Sequence, residues 1–274
     1  ALGLLRLLPP GGRVVGGCVW LDGRELLALH SAEMDALRWR ELAVVFQGSM
    51  HSLNPLRTVA SQIAEAIVRH EPDAVDTAAR VDNLLARVGI APARGDDYPH
   101  QYSGGMCQRA AIAMALACNP KVLVADEPTT ALDAMVQAQV LDLLDRLRRE
   151  LGLAIALVTH DLGAVARICD RVLVMYGGVA VECTTREALF ARPLHPYSQA
   201  LLAAHPDLQH GRGKLPSIPG SPPNLQAPPP GCRFAPRCAL AEARCREQVP
   251  VLRAVGVGQL VACHLVAEGA GEEL

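Results

Sequence analysis

An α/β fold built on a parallel sheet is predicted for this chain by three observations. Three short apolar runs, AVVF, VLVA and LAIALV, lead into the polar residues Gln47, Asp126 and His160. Continuous apolarity marks a strand covered on both faces, as parallel strands are. Helical periodicity fills the intervals, in VASQIAEAIV, AARVDNLLARV and VQAQVLDLLDRLRREL. With 274 residues, 50% of them hydrophobic, the chain can bury one large core and carry an appendage.

The elements follow in order. VVGGCVWLDGREL reads as a strand pair turning at Asp22-Gly23, and SAEMDALRW as a helix capped by Ser31 ahead of Glu33. Helical periodicity resumes from Pro55 to Gly89. At Ser103-Gly104-Gly105 a turn opens an apolar helix; the glycines let backbone approach a ligand, and the helix start aims N–H groups and a positive dipole end at it. An anion is the natural guest, although a lone Ser-Gly-Gly is more often a turn with a serine cap. VLVA then ends on paired carboxylates, of which Asp126 can hold Mg²⁺ and Glu127 can orient or deprotonate water. Pro128, Thr129, Thr130 and an Ala131-Leu132-Asp133 turn follow, and the next helix ends at Gly152. LAIALVTHDL supplies a second apolar strand, ending on His160. RVLVMYGG and VAVE form a closing hairpin, and the stretch from Pro216 to Pro230 is proline-rich.

Four of the nine cysteines, Cys232, Cys238, Cys245 and Cys263, crowd the C-terminal part, with His264 beside the last. In a reducing compartment, clustered thiols point to metal rather than disulfides. Four thiolates around a proline-rich loop can hold an iron–sulfur cluster; zinc through Cys₄ or Cys₃His is an alternative, although it favours tighter spacing, and uncoordinated thiols are another. Cys18, Cys107, Cys118, Cys169 and Cys183 are scattered and read as small packing residues.

Composition excludes several classes. A net charge of −2 gives no basic field for nucleic acid, and 3% aromatics leave little to stack bases on. No apolar run approaches the roughly 18 residues of a membrane helix, and GLLRLL is interrupted by Arg6 and followed by two prolines. Membrane association would therefore come through partners.

Taken in order, Gln47, Ser103-Gly104-Gly105, Val122 to Glu127, Ala131 to Asp133 and His160 resemble the Q-loop, signature, Walker B strand, D-loop and switch histidine of ATP-binding-cassette ATPases. GSMHSLNP, PHQYSGGM, LHPYSQALL and IPGSPPNLQAPPPGCRFAPRC are similar to segments of the dipeptide, oligopeptide and nickel importer ATPases. The resemblance covers essentially the whole chain. It implies an α/β ABC-type P-loop NTPase nucleotide-binding domain over residues 1–183, with a helical subdomain at about 54–118. A small irregular Cys-rich extension over 184–274 completes the expected organisation.

The resemblance further implies ATP with Mg²⁺ held by Gln47 and Asp126, water polarised by Glu127, and the γ-phosphate held by His160. Ser103, Gly104, Gly105, Gln108 and Asp133 are implied as further ATP-site residues, and a 4Fe-4S cluster on Cys232, Cys238, Cys245 and Cys263. The implied partners are a homologous ATPase subunit packed head to tail, two membrane permease subunits, and indirectly an extracytoplasmic solute-binding protein, with no nucleic acid. The implied location is peripheral, on the cytoplasmic face of the membrane.

There are departures. Cys107 stands where the family carries arginine, leaving a thiol that is open to modification if exposed in an electropositive setting; Tyr102 stands where leucine is common. No G-x-x-x-x-G-K-[ST] phosphate loop occurs, and neither Lys121 nor Lys214, the only lysines, follows a glycine-rich loop of that form. ALGLLRLLPPGG resembles the segment following that loop. The expectation is a chain that starts just inside the helix after an upstream phosphate loop. The alternative is a degenerate, non-hydrolysing partner that lends only its signature to a homologue. A nucleic-acid-directed cassette ATPase is disfavoured by the missing coiled-coil insertion and basic patch.

Overall fold

The computed structural model describes residues 2–48, 52–205 and 217–267. Part of GSMHSLNP, Lys214, Pro216 and the last seven residues lie outside the described residues. Two compact units are present, Ala1–His160 and Asp161–Leu274.

In the first unit, β1 (Trp20–Leu21) and β2 (Arg24–Glu25) pair around Asp22 and Gly23, whose φ values of 48° and 76° are those of a tight hairpin turn. Residues 2–6 form turns where an apolar helix was expected. Leu5 nevertheless packs with Leu26, Met34, Leu37, Leu42 and Val124, and its carbonyl accepts from the Arg38 guanidinium. Helix α1 (Ser31–Leu37) starts one residue earlier than Ser31 capping implied: His30 is the N-cap, and its N–H donates to the Glu33 carboxylate at 2.8 Å.

Strands β3 (Leu42–Val45), β4 (Val122–Asp126) and β5 (Ala154–Val158) form a parallel sheet in that order. The register pairs Val45 with Ala125 and Asp126 with Val158, so the C-terminal ends line up. Central β4 is as its apolarity demands, with Leu123, Val124 and Ala125 at 0–1% exposure. β5 departs from expectation. It is an edge strand whose residues alternate between exposed and half-buried, and no strand among the described residues pairs with its outer side.

A helical lobe consists of α2 (Val59–His70), α3 (Thr77–Arg87) and α4 (Gly104–Ala115). Thr58 and Asp76 cap the first two by accepting from Ser61 N–H and Ala79 N–H. Their buried residues recur at helical spacing; Ile63, Ile67 and Leu85 are fully buried, each contributing about 1.5–3 kcal/mol. Helix α5 (Ala134–Leu151) ends, as its sequence predicts, on Gly152 at φ 62°.

The second unit holds α6 (Leu162–Ile168), β6 (Arg171–Tyr176), β7 (Val179–Thr185), α7 (Arg186–Ala191), α8 (Pro196–Ala203), α9 (Ala243–Glu247), β8 (Arg253–Gly256) and β9 (Gln259–Val261). The expected hairpin is β6–β7, turning at Gly177-Gly178. The extension is more ordered than its proline content suggested: β9 pairs with β7, completing an antiparallel sheet in the order β6-β7-β9-β8. Tyr176, Tyr197 and Phe234 pack ring to ring beside it. Buried Glu182 fastens the start of α8, accepting from Leu194 N–H and His195 N–H at 2.9 Å each. Among the described residues no helix is long and apolar enough to cross a membrane.

Candidate functional site: a carboxylate at the strand ends

Aligned parallel strands bring Gln47, Glu127 and His160 to one end of the first sheet. Gln47 follows β3 by two residues, Glu127 follows β4 directly, and His160 follows β5 by two. Glu127 is the hub. Its Oε2 accepts from Gln47 Nε2 at 2.9 Å and from the Thr130 hydroxyl at 2.7 Å, and its Oε1 lies 3.0 Å from His160 Nδ1. The hydroxyl of Thr130 and then the ring of His160 hold the carboxyl below its usual range, so it stands ionised and His160 Nδ1–H is the donor. The backbone of Glu127 is unusual, with φ 45° in the left-handed region that non-glycine residues avoid, and its N–H donates to Val158 O at 2.8 Å. Neighbouring Asp126 is half-buried and its carboxylate accepts no hydrogen bond among the described residues, so its lone pairs fit a divalent cation such as Mg²⁺. Sequence reasoning gave Thr130 no role of its own; its only signal was a hydroxyl three residues after a functional carboxylate.

The Ser-Gly-Gly turn forms a second element. Ser103 is the exposed N-cap of α4, its hydroxyl accepting from Met106 N–H at 3.3 Å, and Gly104 and Gly105 open the helix. Gly105 has a packing reason as well: a Cβ there would lie 2.5 Å from Val136 Cγ1 on α5. Asp133 caps α5, accepting from Val136 N–H at 2.9 Å, so both helix starts meet at Val136. Gln108 lies buried within α4 at 4% exposure, on the inner side of the helix rather than with Ser103. Cys107 is also buried, its thiol donates to Pro99 O, and burial pushes its pKa up, so the exposed, electropositive thiol that would invite modification is not what forms. Tyr102 is buried too, donating to Arg94 O at 2.8 Å beneath the Arg94 guanidinium.

In the second unit Cys232, Cys238, Cys245 and Cys263 line one small cavity together with His195 and His264. Cys232 N–H donates to Cys245 O at 2.8 Å; this approach needs Gly231, whose added Cβ would sit 2.4 Å from that carbonyl. Burial raises the thiols of Cys232 and Cys238, while backbone N–H groups of Phe234 and Ala235 bond Cys232 and that of Leu240 bonds Cys238. Converging thiols with N–H donors on their sulfurs suit a cationic group that needs thiolates. No group of three or more His, Cys, Asp or Glu among the described residues forms a ligand shell for a single metal ion.

Comparison with known proteins bears on both units. Residues 4–130 match the ABC transporter family, and residues 181–245 match the oligopeptide/dipeptide transporter C-terminal region. A probable peptide ABC transporter ATP-binding protein of Sinorhizobium fredii is 48% identical over 96% of this chain and 80% of its own length. The chain belongs to the ATP-binding subunits of peptide ABC transporters. The oligopeptide transport ATP-binding protein OppD of Salmonella typhimurium is 45% identical over 98% of this chain and 80% of that protein. The dipeptide transport ATP-binding protein DppD of Escherichia coli is 43% identical, over 99% and 84%. Among solved structures, CbiO1 of Clostridium perfringens, part of an ABC transporter complex, has a TM-score of 0.60 at 30% identity, covering 70% of this chain and 73% of that one. The ATP-binding cassette MJ0796 in a post-hydrolysis dimer with ADP and Pi scores 0.57 at 28% identity, over 63% and 74%. The nucleotide-binding-domain fold of this ATPase family is thereby established for the chain.

Proposed function

We propose that this ATPase subunit hydrolyses ATP to drive uptake of peptides through a membrane ABC importer, dipeptides and oligopeptides first and nickel as an alternative solute. The observation that carries the reading is the hydrogen-bonded set Gln47, Glu127 and His160 at adjacent strand ends. Glu127 orients a water for attack on the γ-phosphorus and takes its proton as the bond to the bridging oxygen breaks and ADP leaves. Asp126 and Gln47 would hold Mg²⁺, which would neutralise phosphate charge, and His160 would contact the γ-phosphate. Ser103, Gly104 and Gly105 close over ATP on a homologous subunit, with Asp133 linking the two sites.

A phosphate loop does not occur in the 274 residues. The outer side of β5, unpaired among the described residues, supports the reading that a further parallel strand pairs there, which would deliver such a loop beside Glu127 and His160. The partners proposed are that homologous subunit and two membrane permease subunits, with a solute-binding protein acting through them, at the cytoplasmic face of the membrane. The alternative reading, a non-hydrolysing partner lending only Ser103 to Gly105, keeps the α4 start and dispenses with Glu127. Purified importer carrying Glu127→Gln decides between them. A fall in ATP turnover of about 10²-fold or more is expected, and an unchanged turnover sinks the hydrolytic reading.

For the cysteine cavity we propose a structural 4Fe-4S cluster on Cys232, Cys238, Cys245 and Cys263. The four thiols lining one cavity, with backbone N–H donors on Cys232 and Cys238, support this reading, and zinc is the alternative. Anaerobically purified protein should be brown and contain iron and acid-labile sulfide; colourless protein containing zinc overturns the assignment.

A further inference from the structure

We infer that Thr130 is a positioning residue for hydrolysis: its hydroxyl fixes Glu127 Oε2, so that the carboxylate is already aimed when nucleotide arrives. The inference rests on the ATPase reading above. A glutamate has three rotatable side-chain bonds, and an unheld carboxylate would sweep over ångströms. Of the three groups that hold Glu127, two have other duties under that reading. Gln47 comes from a different strand end and His160 is 78% exposed, and both turn to Mg²⁺ or phosphate once these are bound. Thr130 has no such duty.

Thr130 also belongs to the same turn as its target. Its N–H donates to Glu127 O at 3.2 Å while its hydroxyl donates to Oε2 at 2.7 Å, so backbone and side chain of Glu127 are gripped by one residue. β-Branching leaves threonine few χ1 choices, which keeps the hydroxyl in place. The turn is clamped from α5: Gln137 Nε2 donates to Thr129 O at 3.2 Å and to Leu132 O at 3.1 Å, and Leu132 N–H donates to Thr129 O. Thr129 is buried and Ala131 is held at φ 65°, so Thr130 stands between two fixed neighbours. An exposed hydroxyl in an ordinary turn is satisfied by water. This one is spent on the carboxylate that also carries a left-handed φ.

The test uses the complete importer and compares Thr130→Val, Thr130→Ser and Glu127→Gln with wild type, measuring kcat and KM for ATP and the thermal midpoint. Thr130→Val is expected to lower kcat by about 10- to 100-fold with KM within about twofold and an unchanged midpoint, and Thr130→Ser to recover most of the loss. Wild-type kcat in Thr130→Val, a loss confined to KM, or a serine variant as slow as valine overturns the inference while Glu127→Gln stays inactive. If Glu127→Gln itself turns over normally, the ATPase reading fails first and the inference falls with it.

Discussion

Gly105 and Ser103 show how one residue can serve packing and chemistry together. The missing side chain at Gly105 lets α4 approach Val136, and Gly105→Ala should cost about 1–3 kcal/mol through overpacking. Gly105→Ala with Val136→Ala should recover most of that loss in a thermal melt. Ser103→Ala should cost about 1 kcal/mol as a lost cap, while turnover of the assembled importer falls much further than Gly at the same position would explain through stability, since glycine caps nearly as well. Comparing Ser103→Gly with wild type in melt and turnover separates the two roles.

At the scale of elements, the α2 end and α3 are tied by Glu71 and Arg80, whose guanidinium holds the Glu71 carboxyl below its ordinary value of 4.5. A depressed acid stabilises above its unfolded pKa and loses that contribution as pH falls through the lower folded pKa. Glu71→Gln should therefore be less stable than wild type at neutral pH by at most about 1 kcal/mol, because the pair is partly exposed, and the gap should close below pH 4.5. Chemical denaturation at pH 7 and pH 3 checks it. The strands differ as well. Hydrogen exchange in the 274-residue chain should be slow at Leu123, Val124 and Ala125 of β4, paired on both sides, and much faster along β5, whose outer side no strand among the described residues pairs.

For the whole molecule, the sequence was most legible where a pattern is local. The carboxylate pair after VLVA, the cap at Ser103 and the stop at Gly152 each announce themselves within a few residues. Legibility failed where position depends on partners far along the chain. LAIALV has the same apolarity as VLVA, yet among the described residues it is paired on one side and half-exposed while VLVA is paired on both and buried, because pairing and not composition decides burial. Whether the Cys107 thiol is exposed could not be read locally, because the 3-10 turn at Pro99–Gln101 is what covers it. The short β8 and β9 hid in the extension because β9 pairs with β7, roughly 80 residues upstream, and β8 pairs only with β9. The Glu182 carboxylate, buried under α8, was equally invisible. Glu182→Ala would orphan the buried His195 N–H and the part-buried Leu194 N–H, and a destabilisation of about 2–4 kcal/mol in urea unfolding is expected.

Both tryptophans, Trp20 and Trp39, lie in the first unit, whereas the aromatic cluster of the second is built from Tyr176, Tyr197 and Phe234. Trp39 stacks on His70 at 5.3 Å and its indole N–H donates to Met114 O, so its emission reports the joint between α2, α4 and the approach to β3. Fluorescence excited at the red edge of indole absorption will thus follow the first unit, Trp39 reporting the helical lobe and the exposed Trp20 the β1–β2 hairpin, and stay blind to the cysteine cavity. Indole emission therefore isolates the first unit optically, which tyrosine cannot do, since Tyr98 and Tyr102 stand in the first unit and Tyr176 and Tyr197 in the second.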